Sequence, residues 1–129
     1  MNMADLKEIK KICFKYIESL GELNKIHSVM LYGSAARNYV GGGNQYEDFD
    51  LGIFFTKKSP ISSTQATPKR IGIYNGKRVE TTRSKIPEDA DLLEHIHGLM
   101  KSKNSSKRWK RIGTEPIILL YPEMKVLQS

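Results

Sequence analysis

Cysteine is almost absent: Cys13 stands alone among 129 residues, so no internal disulfide can form. Long apolar runs are also missing. Stretches such as Ile117 to Tyr121 span only a few residues, whereas a bilayer-crossing helix needs about 20. Charged residues recur from Asp5 and Lys7 onward, so the first segment fits neither a secretory signal nor an Arg-rich transit peptide. These absences give the expectation of a cytoplasmic protein with no membrane partner. His27, His95 and His97 have no companions at metal-ligand spacing and read as structural histidines. There are no repeats, no low-complexity tract and no signal of a second domain, so residues 1–129 read as one domain. At this length folding removes roughly two thirds of the surface the unfolded chain exposes, enough for a real core.

Charge is plentiful but uneven. Lys and Arg total 21 against 14 Asp and Glu, a formal net charge of +7, yet residues 1–50 hold six basic and seven acidic side chains. The basic excess therefore lies after residue 50. It is densest where Lys101, Lys103, Lys107, Arg108, Lys110 and Arg111 surround Trp109. Such a cluster can attract phosphates or serve as a solvated helix face. Trp109 can stack on a base or anchor the last helix on the sheet, and the anchor is the reading we favour.

Leu6, Ile9, Cys13, Tyr16, Ile17 and Leu20 recur at helical spacing, which predicts an amphipathic helix over 5–20. Asp5 is its expected cap and Gly21 its stop. His27 to Tyr32 reads as a buried strand ending at Gly33-Ser34, after which Ala35, Ala36 and Arg37 begin a short helix. Gly41, Gly42 and Gly43 end it, because successive glycines lose too much backbone entropy in a helix. Asp48 to Phe55 is β-prone, with acidic residues at its entrance. Residues 56–69 read as a loop. Asn75-Gly76 between Arg70–Tyr74 and Lys77–Ser84 predicts a tight hairpin, with Ile71 opposite Glu80. Pro87, Glu88, Asp89 and Asp91 read as the acidic first turn of a helix through Leu92, Ile96 and Met100. Asn104-Ser105-Ser106 can cap a last short helix, and Glu115 to Leu127 reads as strand, turn and strand around Pro122.

One constellation carries chemistry. A strand delivers Gly33-Ser34 to a helix start, where backbone N–H groups and the helix dipole favour phosphate oxygens. Gly33 permits close approach, Ser34 adds a hydroxyl, and Arg37, about one turn later, can reach the same phosphates. Thirteen residues separate Ser34 from Asp48. On a strand, Asp48 and Asp50 project from one face while Phe49 points into the core. Two adjacent carboxylates repel unless a cation lies between them, and their hard oxygens suit Mg²⁺ or Mn²⁺ that share phosphate ligands. The inferred ligand is a metal-bound nucleoside triphosphate lying between the acidic couple and the Gly33-Ser34 corner.

Leu31-Tyr32-Gly33-Ser34-Ala35-Ala36-Arg37 followed by Asp48-Phe49-Asp50-Leu51 resembles the small stand-alone nucleotidyltransferases of the DNA polymerase beta superfamily. The likeness covers residues 28–55 and, more loosely, the hairpin to about residue 84. It implies an α/β (α+β) nucleotidyltransferase fold, with a short mixed sheet and helices mainly on one face. It further implies that Gly33 and Ser34 hold the triphosphate, that Asp48 and Asp50 bind metal in a two-ion site, and that a third carboxylate lies on a later strand. Glu80, where many relatives use Asp, is the candidate, since no other carboxylate lies between Asp50 and Glu88. Glu80 can equally be a cross-strand partner of Arg78 or Thr82.

The implied activity is ATP-dependent transfer of a nucleoside monophosphate, AMP in the first instance, to a hydroxyl acceptor with release of pyrophosphate. The acceptor would be bound by a homodimer interface, a partner chain or the Lys101–Arg111 region. Two other readings stand beside it. One is an antitoxin-like partner of a helical HEPN-type toxin. The other is a non-catalytic nucleic-acid-binding module, against which stands the Asp48/Asp50 pair, because a pure binder gains nothing from clustered negative charge facing phosphate.

Overall fold

The computed structural model describes residues 3–19, 26–43, 48–56, 70–74, 77–102 and 107–129. Among these residues ten elements follow one another: α1 (Met3–Ser19), β1 (Ile26–Tyr32), α2 (Gly33–Val40), β2 (Asp48–Phe55), β3 (Arg70–Tyr74), β4 (Lys77–Lys85), α3 (Leu92–Lys101), α4 (Lys107–Ile112), β5 (Ile117–Tyr121) and β6 (Lys125–Gln128). The strands form one sheet in the order β3-β4-β2-β1-β5-β6. All neighbours are antiparallel except β2 and β4, which run parallel.

The three central apolar strands divide their side chains between two cores. Val29, Leu31, Phe49, Leu51, Ile53, Phe55, Ile118 and Leu120 point one way, where they meet Leu6 and Ile9 of α1 and Ala35 and Ala36 of α2. Met30, Tyr32, Phe54, Ile117 and Leu119 point the other way and meet Leu92 and Ile96 of α3 and Trp109 and Ile112 of α4. Helices thus cover both faces, a correction to the expected packing mainly on one. The reason lies in β1, β2 and β5: with few polar residues they must be buried on both sides, and a bare second face would expose Met30, Phe54 and Leu119 to water.

Several local expectations are matched. β2 has the anticipated bounds, and the helix after Gly33 stops at Val40, with Gly41 N–H donating to the Arg37 carbonyl at 2.9 Å. Ile71 pairs with Glu80, and Tyr74 with Lys77; residues 75–76 of the expected turn lie outside the described residues, as do 57–69 of the expected loop, Gly21 and the proposed cap at 104–106. Other boundaries move. α1 begins at Met3, which puts Asp5 inside the helix rather than at its cap. The helix after Pro87 starts only at Leu92, because Asp91 is the cap: its carboxylate accepts from Glu94 N–H at 3.1 Å. An Asp with Glu three positions later is a capping pair, and it outcompetes a proline start. Trp109 is buried, with its ring 5.8 Å from that of Phe54, so it anchors α4 on the sheet. Among the described residues no helix is long and apolar enough to cross a membrane.

Candidate functional site

Strand β1 runs straight into α2 with no loop between them. Tyr32 is the N-cap in extended conformation, and Gly33 follows at φ 74°, a left-handed conformation that favours glycine. Tyr32 offers the helix no side-chain cap, because its hydroxyl bonds the Thr82 hydroxyl at 3.1 Å inside the α3/α4 core. The corner is tight. A Cβ at Gly33 would collide with Asp50 Oδ2, so the absence of a side chain there is what admits the carboxylate. Ser34, half-buried, is the second residue of α2. Asp50 therefore faces the Gly33-Ser34 corner, packed against the glycine itself rather than across a wide gap.

Parallel pairing of β2 with β4 sets Asp48 beside Arg78 and Asp50 beside Glu80. Alternation puts these four side chains on the face of Phe54 and Thr82, opposite Phe49, Leu51 and Val79. Asp48 lies exposed at the strand entrance, while Asp50 and Glu80 are half-buried. The Asp50 carboxyl is held above its ordinary value of 3.8, first by burial, then by the negative charge of Glu80 and by a hydrogen bond shared with that side chain, with Asp48 adding a little. Arg111 of α4 opposes this, its charge favouring ionised Asp50. Glu80 Oε1 also lies 3.7 Å from Arg78 Nη2, two residues earlier on the same strand, so the partnership expected with Arg78 runs along β4 rather than across strands and coexists with the position beside Asp50.

The arrangement bears directly on a divalent cation. Asp50 and Glu80 supply adjacent hard oxygens whose mutual repulsion helps to hold the Asp50 carboxyl above its ordinary value, and a cation between them can relieve it. Among the described residues no three or more His, Cys, Asp or Glu side chains gather closely enough to hold a metal together.

Arg37 has a partner on another part of the chain. Its guanidinium donates to Glu115 Oε2 at 2.9 Å, tying α2 to the segment after α4. Sequence spacing counts positions along a helix, but Glu115 arrives from 78 residues away. Arg111 was visible only as part of a basic run; nothing local signals that α4 sets it within electrostatic reach of Asp50. The histidines divide. His27 Nε2 lies 2.9 Å from the Ala90 carbonyl and His97 Nε2 lies 2.8 Å from Gln128 Oε1, whereas His95 has a buried Nε2 without a hydrogen-bond partner among the described residues. The side chain of Cys13 lies outside the described residues. No protein-family model and no curated protein matches this chain.

Proposed function

We propose that the protein is a metal-dependent nucleotidyltransferase of the minimal type, which moves a nucleoside monophosphate, AMP in the first instance, from its triphosphate to a hydroxyl acceptor and releases pyrophosphate. The observation that carries this reading is the packing of Asp50 against Gly33 at the start of α2, with Glu80 in register beside it. A phosphate-favouring helix start and a carboxylate pair are thereby brought to one corner. Asp50 and Glu80 would hold Mg²⁺ or Mn²⁺, with Asp48 at the rim. When bound, such an ion neutralises charge on the phosphates and lowers the pKa of an attacking hydroxyl.

This chain's own groups supply the rest. The dipole of α2 and its first N–H groups draw phosphate oxygens to Gly33 and Ser34. Gly33, having no side chain, admits the Asp50 carboxylate to this corner. Asp50, whose ionised form the charge of Arg111 favours against burial and Glu80, would be the carboxylate to take the acceptor's proton.

The test is incubation with α-labelled nucleoside triphosphates and Mg²⁺ or Mn²⁺, alone and with candidate acceptors, beside Asp50→Asn. The expected outcome is label transfer or pyrophosphate release with the wild-type chain and background with the variant. Equal signal from both would remove the mechanism. A second reading has one observation in its favour: Lys101, Lys107, Lys110 and Arg111 are exposed on α3 and α4, which suits a nucleic-acid-binding module. It requires metal-independent binding that weakens steeply with salt.

A further inference from the structure

Helix α3 carries two opposite charges and a glycine on the face it turns away from the sheet. Leu92 and Ile96 are buried against the strands. The opposite face, at spacings of four and three, reads Glu94, Gly98 and Lys101, all exposed. Neither Glu94 nor Lys101 forms an ion pair with a described residue. Each belongs to a larger patch. Glu88, Asp89 and Asp91 are exposed just before Glu94. At the other end, a Cβ on Gly113 would collide with Met100 Sδ, so α4 ends against the last turn of α3, with exposed Lys110 and Arg111 within a turn of that contact. The helix dipole accounts for acid in the first turn and base in the last. It does not account for the glycine. Gly98 sits in the interior of α3, where glycine is the poorest choice after proline. Among the described residues, a Cβ there would meet nothing within 4 Å beyond its chain neighbours and its own helix backbone.

We infer that the outer face of α3 is a docking surface for a second copy of this chain, packed antiparallel about a two-fold axis beside Gly98. A two-fold contact requires a surface complementary to itself, in which residue i meets j and j meets i. This stripe meets that condition. The midpoint between positions 94 and 101 falls between 97 and 98, so an antiparallel copy crossing there sets Glu94 against the partner's Lys101 twice over. The glycine then lies at the crossing, where the missing side chain lets two helix backbones approach. Within one chain Glu94 and Lys101 are about 10 Å apart along the helix, too far to pair. A parallel arrangement would set like charges together. The acidic run before Glu94 and the basic end of α4 extend the same complementarity. A nucleic acid fits only the basic half and is repelled by the acidic one. One helix pair is a small interface, so the association should be reversible and should weaken with salt. This surface faces away from the strands that carry Asp50 and Glu80, and the inference stands independently of the nucleotidyltransferase reading.

The experiment is sedimentation equilibrium of the full chain from micromolar to millimolar concentration, for wild type, Glu94→Lys, Lys101→Glu, the double variant, and an equimolar mixture of the two single variants. Wild type should show a monomer–dimer equilibrium that shifts towards monomer as salt is raised. Each single reversal turns two attractive contacts into repulsive ones and should raise the dissociation constant about tenfold. The mixture and the double variant restore opposite charges at both contacts and should return to within about threefold of wild type on the same scale. Recovery of that kind cannot come from a variant that fails to fold. Gly98→Gln separates the glycine's two effects: as a better helix former it should raise the melting temperature of the dilute chain, while its side chain at the crossing should raise the dimer dissociation constant about tenfold or more. A wild-type chain that stays monomeric throughout overturns the inference. So does a dimer that both single reversals leave intact, or one that neither the mixture nor the double variant recovers. Unchanged association in Gly98→Gln overturns the antiparallel crossing. An oligonucleotide that binds through Lys101 to a chain that remains monomeric would assign the basic end to nucleic acid and likewise overturn it.

Discussion

The two faces of the sheet are built from the same strands and have become different materials. Towards α1 and α2, strands β1, β2 and β5 present Val29, Leu31, Phe49, Leu51, Ile53, Phe55, Ile118 and Leu120, with little polar among them. Towards α3 and α4 the same strands alternate Met30, Phe54 and Leu119 with Ser28, Asp48 and Asp50, and β4 adds Glu80, Thr82 and Ser84. Period-two alternation lets one strand serve both purposes. The dry face contributes burial without any polar group to satisfy. The mixed face carries a carboxylate pair and a buried Tyr32–Thr82 hydrogen bond, and α3 over it holds a histidine, His95, with a ring nitrogen unpartnered among the described residues. Stability and chemistry are therefore separated by less than the thickness of one sheet, and substitutions one residue apart should have opposite consequences.

The sharpest break in that contrast is Leu51→Ala set against Asp50→Asn. Leu51 is fully buried on the dry face, and its truncation should cost about 2–5 kcal/mol in urea unfolding, from lost burial and the cavity left behind. Its neighbour should behave in reverse. Asp50 has a carboxyl raised by burial and by Glu80, so its ionised form weakens the fold at neutral pH. An uncharged Asn should leave stability equal or higher while abolishing label transfer. A destabilisation by Asp50→Asn as large as that of Leu51→Ala would erase the distinction between the faces.

Gly33→Ala comes next. It places a side chain at φ 74° and drives a methyl into Asp50 Oδ2. Strain of this kind costs roughly 1–3 kcal/mol, and the displaced carboxylate should reduce phosphate binding together with melting temperature. Loss of one without the other would show that glycine is needed for only one of the two roles.

A smaller effect is expected from acid. The His95 ring is held below its ordinary value of 6.5, first by burial and to a lesser degree by the nearby His27, against a hydrogen bond with the Lys85 backbone that pulls the other way. The unfolded chain therefore takes up a proton before the folded one does. Stability should be fully present above about pH 6.5 and decline as pH falls below it. Urea midpoints measured between pH 7.5 and 5 for wild type and His95→Gln should converge if this is right, with the variant showing the shallower decline. The smallest change is Arg37→Met. Its bond to Glu115 is largely exposed, so about 0–1 kcal/mol should be lost.

How much of this could be read along the chain depends on the range of the forces involved. The Gly33-Ser34 corner, the bounds of β2 and the inward turn of Phe49 follow from neighbouring residues and were legible. The pairing of Ile71 with Glu80 was legible too, because residues flanking a two-residue turn fall into register by counting. The second helical layer was missed although its signal existed, since apolar residues at both odd and even positions of β1 and β5 already imply a cover on each side. Asp91 as the cap of α3 was likewise written locally, in its spacing to Glu94, and was obscured by the proline before it. Arg37 and Arg111 were beyond any local reading. Each carries the same charge on a helix, and only the arrival of Glu115 at one and the electrostatic influence of the other on Asp50 distinguish them.

What the residues alone determine here is the set of chemical groups and the face each occupies on its own strand or helix, because those depend on backbone geometry within a few positions. What the tertiary structure decides is which groups become neighbours: β4 lies parallel to β2, which brings Glu80 to Asp50, and α4 is seated by Trp109 on the sheet face that carries Asp50, whose carboxyl feels the charge of Arg111. The register of distant strands and the docking of a short helix are settled by burying both faces of the central strands at once, a condition that the whole chain must meet together.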